Sequence, residues 1–373
     1  EDEATGRRFP RSTAWLPSAP VGARTCPSFA LIPKGFLIET LRNRSCFAAP
    51  QHKPYLAGGA YRGQSGRKTE PRRQRVLRAQ EFQNTLQGPA IFAGVGVHTG
   101  AYTRVAVRSA PANSGIVFVR TDVTDRDNRV PVSGEAVTKT QLGTVIENAA
   151  GVSVSTIEHL MAAMAMLGID NAVVELDGPE MPIMDGSSLP FVQILDRAGR
   201  RPQDAPRRYI EIIEPIEFID GDKRATLTPS DQFEVAFEIA FDSAAIGRQR
   251  IDMPMDERTF RNELANCRTF GFLHEVEYLR SIGLARGGSM ENAVVIEGDR
   301  ILNPEGLRRP DEFVRHKALD AIGDLYVLGA PILGRFEGVL AGHGLNNQLV
   351  RALLASPKSW RYRTLVTELA EAV

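Results

Sequence analysis

Histidine and aspartate stand one helical turn apart in Glu312-Phe313-Val314-Arg315-His316-Lys317-Ala318-Leu319-Asp320-Ala321-Ile322-Gly323-Asp324. On an α-helix each step of four residues rotates only about 40°, so His316, Asp320 and Asp324 share one stripe. An imidazole and a carboxylate at this spacing can grip one metal ion, as the two histidines of HExxH do. The same spacing also serves as a solvated His–Asp pair worth a few tenths of a kcal/mol, and the stripe alone leaves both readings open. Glu158 and His159 weigh on the choice. They open an almost wholly apolar helix (LMAAMAMLGI), which must be buried and whose polar residues therefore need partners. His159 is placed to supply a third ligand, with Glu158 beside the ion without ligating it. Two histidines, one aspartate and an open position form a catalytic metal pattern, in which water is acidified toward pKa ~7 and a nearby carboxylate takes its proton.

His343 lies between two glycines in Ala341-Gly342-His343-Gly344-Leu345-Asn346-Asn347. That setting suits either a general acid that must approach a substrate or an exposed loop histidine. Thr269, in Arg268-Thr269-Phe270-Gly271-Phe272, is either a donor to a developing oxyanion or a β-branched strand residue. Gly94-Val95-Gly96-Val97-His98-Thr99-Gly100 is not a dinucleotide fingerprint: its third glycine comes one residue late and a strand pattern follows, so a tight turn is expected. The chain has no GxxxxGK[ST], GxSxG or HExxH. Cys267 has no base beside it in sequence and reads as a buried, inert thiol.

The elements that must position these groups follow from pattern. Residues 103–108 (TRVAVR) and 115–120 (GIVFVR) alternate as strands, with Pro111, Asn113 and Gly115 marking a turn between them. Ser155 and Glu158 have capping-box spacing at the start of the first histidine helix, and Gly168 ends it. Residues 171–176 (NAVVEL) form another strand. Strands then recur at 208–218, 224–229 and 233–241, and a long helix spans 311–328, ended by Gly329. Each half thus reads as antiparallel strands followed by a helix with a histidine near its start, a duplicated α+β unit with domains at 82–207 and 208–373.

Composition bounds the class. Of 373 residues, 43% are hydrophobic and 24% charged, as in a soluble globular protein. The apolar run from Leu160 to Ile169 falls far short of the ~20 residues of a membrane span. Three scattered cysteines exclude a disulfide scaffold and a cysteine-rich zinc module, and fit a reducing compartment. Net charge is zero, but residues 1–80 hold 15 Lys/Arg against 5 Asp/Glu. The remainder is acidic, which argues against bulk nucleic-acid binding. Eight prolines and no persistent period mark 1–80 as a disordered basic extension. Its arginines and serines allow an organellar transit peptide, whereas the acids Glu1, Asp2 and Glu3 oppose one.

Five segments carry a resemblance: TIEHL at 156–160, PIMDGSS at 182–188, RTFGF at 268–272, EFVRHKALDAIGDL at 312–325 and GHGLNN at 342–347. In this order and spacing they closely resemble the UDP-3-O-acyl-N-acetylglucosamine deacetylases, zinc amidases of lipid A synthesis, over roughly residues 86–354. The resemblance implies an α+β fold of two similar halves, helices sandwiched between sheets and the active site at their junction. It implies zinc on His159, His316 and Asp320, one ion per chain, with Fe2+ as another occupant. Glu158 is then the general base and His343 the general acid, with Asp324 orienting its ring. Thr269 and Lys317 stabilise the oxyanion or the substrate near the metal. Phe270, Phe241, Lys223 and His98 align with substrate-side positions. The segment 271–289, with Leu273, Val276, Tyr278 and Leu279, resembles an insert that passes the acyl chain. Some relatives carry a cysteine where Gln141-Leu142-Gly143-Thr144 stands here, so no thiolate can add to the metal from that position.

These readings make the chain a cytoplasmic, monomeric enzyme acting on a small molecule, an acylated UDP-amino sugar, with mitochondrial placement the alternative if 1–80 holds a transit peptide. A silent homologue should have lost Glu158, His343 or a ligand, and none is lost. A fusion with a dehydratase of acyl-carrier-protein substrates would require a second enzyme domain, which is not expected after Val373. Deleting residues 1–80 should leave the melting temperature and turnover of the remaining chain unchanged; a large drop in melting temperature would show that the extension packs on the body.

Overall fold

The computed structural model describes residues 81–366, so the expectations for 1–80, Cys26 and Cys46 included, lie outside the described residues. The first half contains β1 (Ala90–Val95), β2 (Tyr102–Ser109), β3 (Ile116–Arg120) and β4 (Arg129–Pro131). Helix α1 (Glu158–Leu167), β5 (Ala172–Leu176) and α2 (Leu189–Ala198) follow. Period-2 alternation sets the faces: Thr103, Val105 and Val107 of β2 point inward while Tyr102, Arg104 and Arg108 face out. The turn expected after β2 is present, with Ser114 N–H donating to Pro111 O and Asn113 and Gly115 at positive φ. The strands it joins are not neighbours, however. β5 inserts between them, antiparallel to β2 and parallel to β3, giving the order β1-β2-β5-β3-β4. Its run AVVEL is buried at alternate positions and half-buried at the others, which suits a central strand.

The second half repeats this order. β6 (Arg208–Ile212), β7 (Ile216–Asp220), β8 (Lys223–Thr228), β9 (Phe233–Ala240) and β10 (Arg248–Pro254) precede the short β11 (Phe270–Phe272), α3 (Leu273–Ser281) and β12 (Val294–Glu297). Then come α4 (Glu312–Leu325), β13 (Ile332–Val339), α5 (His343–Leu354) and β14 (Trp360–Thr364). β13, arriving after α4, lies between β8 (antiparallel) and β9 (parallel), as β5 does after α1. The single strand expected over 208–218 is two, because the chain breaks at Ile213-Glu214-Pro215, where proline offers no N–H to a ladder. The long helix leaves α geometry at Leu325, tightens to a 3-10 turn over Tyr326–Leu328, and stops at left-handed Gly329. The protein is an α+β fold with a core continuous across both sheets and the helices.

Helices α1 and α4 form the middle of that core. Almost every residue of each is buried: α1 is apolar all round after His159, as a buried helix requires, whereas α4 also buries Glu312, His316, Asp320 and Asp324. They pack on each other, α4 also on β9 and β10, α2 on β1, and α5 on β7 and β8. Gly168, at φ 67°, ends α1 with its N–H on Ala165 O and the Ile169 N–H on Met164 O, a Schellman-type stop. The expected capping box does not form. Ser155 Oγ instead donates to Pro179 O, and the Glu158 side chain turns to Thr144. Reciprocal capping would have consumed the Glu158 carboxylate.

The α1–α4 crossing is set by Gly323. A Cβ there would sit 2.0 Å from Glu158 O, so only glycine lets the helices approach this closely. Gly323→Ala should lower stability in urea unfolding by about 1–3 kcal/mol, the usual cost of overpacking, and should separate Glu158 and His159 from Asp320 and Asp324. An unchanged midpoint would show that the crossing is not tight.

Candidate active site and metal centre

Three ligand atoms converge where α1 and α4 cross. Asp320 Oδ1 is 3.4 Å from His159 Nε2 and 3.3 Å from His316 Nε2. The two imidazoles stand edge to face at 83°, with all three side chains at most 5% exposed. Among the described residues this is the cluster of His, Cys, Asp and Glu whose ligand atoms could hold a metal ion. Two donors at ~2.1 Å from a tetrahedral zinc ion lie roughly 3.4 Å apart, so the spacing fits. The orphaned atoms fit as well: Asp320 Oδ1 is buried without a hydrogen bond, a cost that an ion would remove. His316 Nδ1 lies 3.1 Å from Cys267 O, which sets the tautomer and leaves Nε2 free to ligate. Burial lowers His316 to about 4, partly opposed by Asp320, so its ring is neutral as a ligand must be. Burial also pulls His159 down, but Asp320 outweighs it and the ring gains affinity for a proton that an ion would displace. Burial pushes Asp320 up, yet His316, His159, His343 and Lys317 hold it well below the usual carboxylate range.

The groups expected to move protons flank this cluster. Glu158 opens α1, 4% exposed, and one of its oxygens accepts the Thr144 N–H at 3.0 Å. Burial raises its carboxyl above the ordinary value, against the pull of His343 and His159. His343 is not in a loop: it is the first residue of α5, after the extended Gly342. Its Nδ1 is 2.9 Å from Asp324 Oδ2, and its Nε2 faces Asp320 Oδ2 at 3.8 Å. Burial and a helix N-terminus both disfavour imidazolium. Asp324, helped by Asp320 and Glu158, overcomes burial and raises His343 to about 9. Lys317 Nζ lies 3.6 Å from Asp320 Oδ2, on the same side as Gly342.

The remaining expected residues lie on separate elements. Thr269 is pinned by its N–H to Gly186 O and by its carbonyl to the Val294 N–H. Gly186 belongs to the PIMDGSS segment and has no room for a side chain, since a Cβ would meet Asn292 O at 2.0 Å. The preceding Arg268 is fully buried and paired with the equally buried Glu312 at the start of α4. Phe270 packs edge-on against Phe313 and Phe241 and reaches the His316 ring at 6.4 Å. His98 sits in the expected tight turn, with Nε2 3.0 Å from Leu142 O. Lys223 stands exposed at the start of β8 and makes no side-chain bond among the described residues. In α3, Leu273, Val276 and Leu279 are half-buried, whereas Tyr278 is 64% exposed. The insert is tied to the His98 turn through Arg286 N–H to His98 O and Gly287 N–H to Val97 O. Cys267 is inert as expected, its thiol pushed up to about 12 by burial.

Several residues that shape the site escaped the sequence reading. Glu180, with no exposed surface, accepts the His98 and Thr99 N–H groups and the Thr99 and Thr156 hydroxyls, fastening the turn to the entry of α1. Thr144 donates to Asp324, as does Asn346. Four non-glycine residues near the site hold left-handed backbone: Leu142, Thr156, Met184 and Leu340. Such strain persists where the surroundings over-determine it. A mid-helix glycine in α4 was the one visible signal, since it costs about 1 kcal/mol without a packing reason.

A family described as LpxC, UDP-3-O-acyl N-acetylglycosamine deacetylase, matches residues 83–355. A protein from Phenylobacterium zucineum, named UDP-3-O-acyl-N-acetylglucosamine deacetylase, is 78% identical over 292 residues, 78% of this chain and 100% of its own. One of the same name from Shewanella frigidimarina is 50% identical over 281 residues, 75% of this chain and 92% of its own. The chain belongs to this deacetylase family.

One metal ion per chain should be found by elemental analysis, and His159→Ala, His316→Ala and Asp320→Ala should each lose it. Full metal content in all three variants would remove the assignment.

Proposed function

We propose that this chain hydrolyses the acetamide of UDP-3-O-acyl-N-acetylglucosamine, releasing acetate and the free amine, as the deacetylation step of lipid A synthesis. The observation that carries the reading is the position of Glu158 and of the His343–Asp324 pair, on different helices, around the His159–His316–Asp320 cluster. The relatives' shared name supplies the substrate. Zinc suits a His2Asp set, and Fe2+ or Co2+ would also fit. A bound ion would polarise the amide carbonyl and acidify the attacking water.

The chain's own groups do the rest. Glu158 removes a proton from the water that attacks the acetyl carbon. His343 Nε2 delivers a proton to the amine nitrogen as the C–N bond breaks, while Asp324 holds Nδ1 and keeps the ring charged. Lys317, whose Nζ lies 3.6 Å from Asp320 Oδ2, and Thr269 stabilise the oxyanion. Phe270, Phe241, Lys223 and His98 serve the nucleotide-sugar side, and Leu273, Val276 and Leu279 the acyl chain. Among the described residues no helix is long and apolar enough to cross a membrane. Bacterial relatives favour a cytoplasmic over an organellar setting. A monomer suffices, because every proposed group comes from one chain.

Glu158 must be ionised and His343 protonated, so kcat/KM should be bell-shaped in pH. The acid limb should lie above the ordinary carboxylate value because burial raises Glu158, and activity should fall on the alkaline side as His343 loses its proton near 9. Both limbs belong to the coupled site and not to single residues. Glu158→Ala and His343→Ala should each lower kcat by about two to four orders of magnitude with metal content intact. Asp324→Asn should move the alkaline limb downward. A His343→Ala enzyme with near-normal kcat and both limbs would mean that Glu158 works alone.

A further inference from the structure

Thr144 is the one residue, among those described, whose atoms bond both the Glu158 and the Asp324 side chains. It is 2% exposed. Its main-chain N–H donates to Glu158 Oε2 at 3.0 Å, and its hydroxyl donates to Asp324 Oδ1 at 2.6 Å. An ionised carboxylate only accepts, and 2.6 Å is the length of a strong charge-assisted O–H···O⁻ bond. The Asp324 oxygens are then fully occupied. Oδ1 takes Thr144 and the longer contact from His343 Nδ1, at 3.2 Å, while Oδ2 takes His343 Nδ1 at 2.9 Å and Asn346 Nδ2 at 2.9 Å. Without the hydroxyl, only the longer His343 Nδ1 contact is left on the Thr144-facing oxygen, and the carboxylate plane can turn about its Cβ–Cγ bond.

The backbone that delivers Thr144 is shaped for this placement. Leu142 lies at φ 67° and Gly143 at φ 152°, and a Cβ on Gly143 would stand 2.9 Å from Glu158 Oε1. The main chain therefore presses against the Glu158 carboxylate, and the next side chain reaches across to α4, 180 residues away in sequence.

We propose that Thr144 is a positioning residue that fixes the proton donor relative to the proton acceptor, its amide setting Glu158 and its hydroxyl setting the Asp324 carboxylate that aims His343. The inference rests on the acid–base reading above. Thr144→Val removes only the hydroxyl and keeps the amide bond to Glu158. It should lower kcat about 10- to 100-fold, leave KM for the acylated UDP-sugar within about threefold, and leave metal content unchanged, the range expected when a positioned acid is partly misaligned. Thr144→Ser keeps the hydroxyl and should stay within about threefold of the parent. If the valine variant does not fold, Thr144→Ala gives the same comparison without the added methyl against Asp324. The deciding readout is a double-mutant cycle. In a His343→Ala background the hydroxyl has no ring to aim, so Thr144→Val should cost almost nothing more.

A full, additive loss in that background would show a merely structural role and overturn the inference. So would a serine variant as slow as the valine one. Normal turnover of Thr144→Val beside a slow His343→Ala sinks this inference alone. Normal turnover of His343→Ala sinks the acid–base reading and this inference with it.

Discussion

Two buried helices cross so closely that a single methyl group would block them, and the chemistry of the site depends on that contact. Gly323 of α4 lies against the Glu158 carbonyl of α1, where a Cβ would stand at 2.0 Å. The approach brings the first residues of α1 over the C-terminal half of α4. Glu158 and His159 thereby meet His316, Asp320 and Asp324, which share one stripe of the facing helix. Neither helix could carry these groups alone, because a carboxylate or imidazole buried without partners costs several kcal/mol. Each half presents its polar residues to the other, so the partners arrive with the fold.

The surrounding structure keeps the crossing in register. Arg268 and Glu312, both buried, lock the start of α4 to Thr269 and the strand that begins at Phe270. Glu180 fastens the His98 turn to Thr156, two residues before the α1 helix begins. Asp324 supplies the electrostatic asymmetry. Its charge holds a proton on His343 at neutral pH although burial and a helix N-terminus oppose imidazolium. Glu158, raised by burial, is the acceptor we propose. Both shifts are upward, so the site holds protons more tightly than free side chains do.

Much of this was legible in the chain. Helical spacing alone placed His316, Asp320 and Asp324 on one stripe, and the apolar run after His159 announced a buried helix. The repeated order of strands and histidine helix was visible too, and the structure adds that β5 and β13 insert at equivalent places in their sheets. What stayed hidden was tertiary. No local pattern says that β5 separates β2 from β3, since strand pairing depends on contacts across the sheet. The capping-box spacing at Ser155 was real, but Thr144 competed for the same carboxylate from outside the helix and won. His343 read as a loop residue because its flanking glycines disguise a helix start. Thr144, Glu180 and Gly323 act through partners up to 180 residues away, so their neighbours in sequence give little sign of them.

We propose that the α1–α4 crossing makes a metal-dependent amidase. The most direct test is acetate release from UDP-3-O-acyl-N-acetylglucosamine by the full chain, before and after chelation, with bound metal measured in parallel. One acetate should form per amine, turnover should be lost as the ion leaves the His159–His316–Asp320 cluster, and it should recover on adding about one equivalent of Zn2+. Undiminished acetate release from protein shown to be metal-free would contradict the proposal.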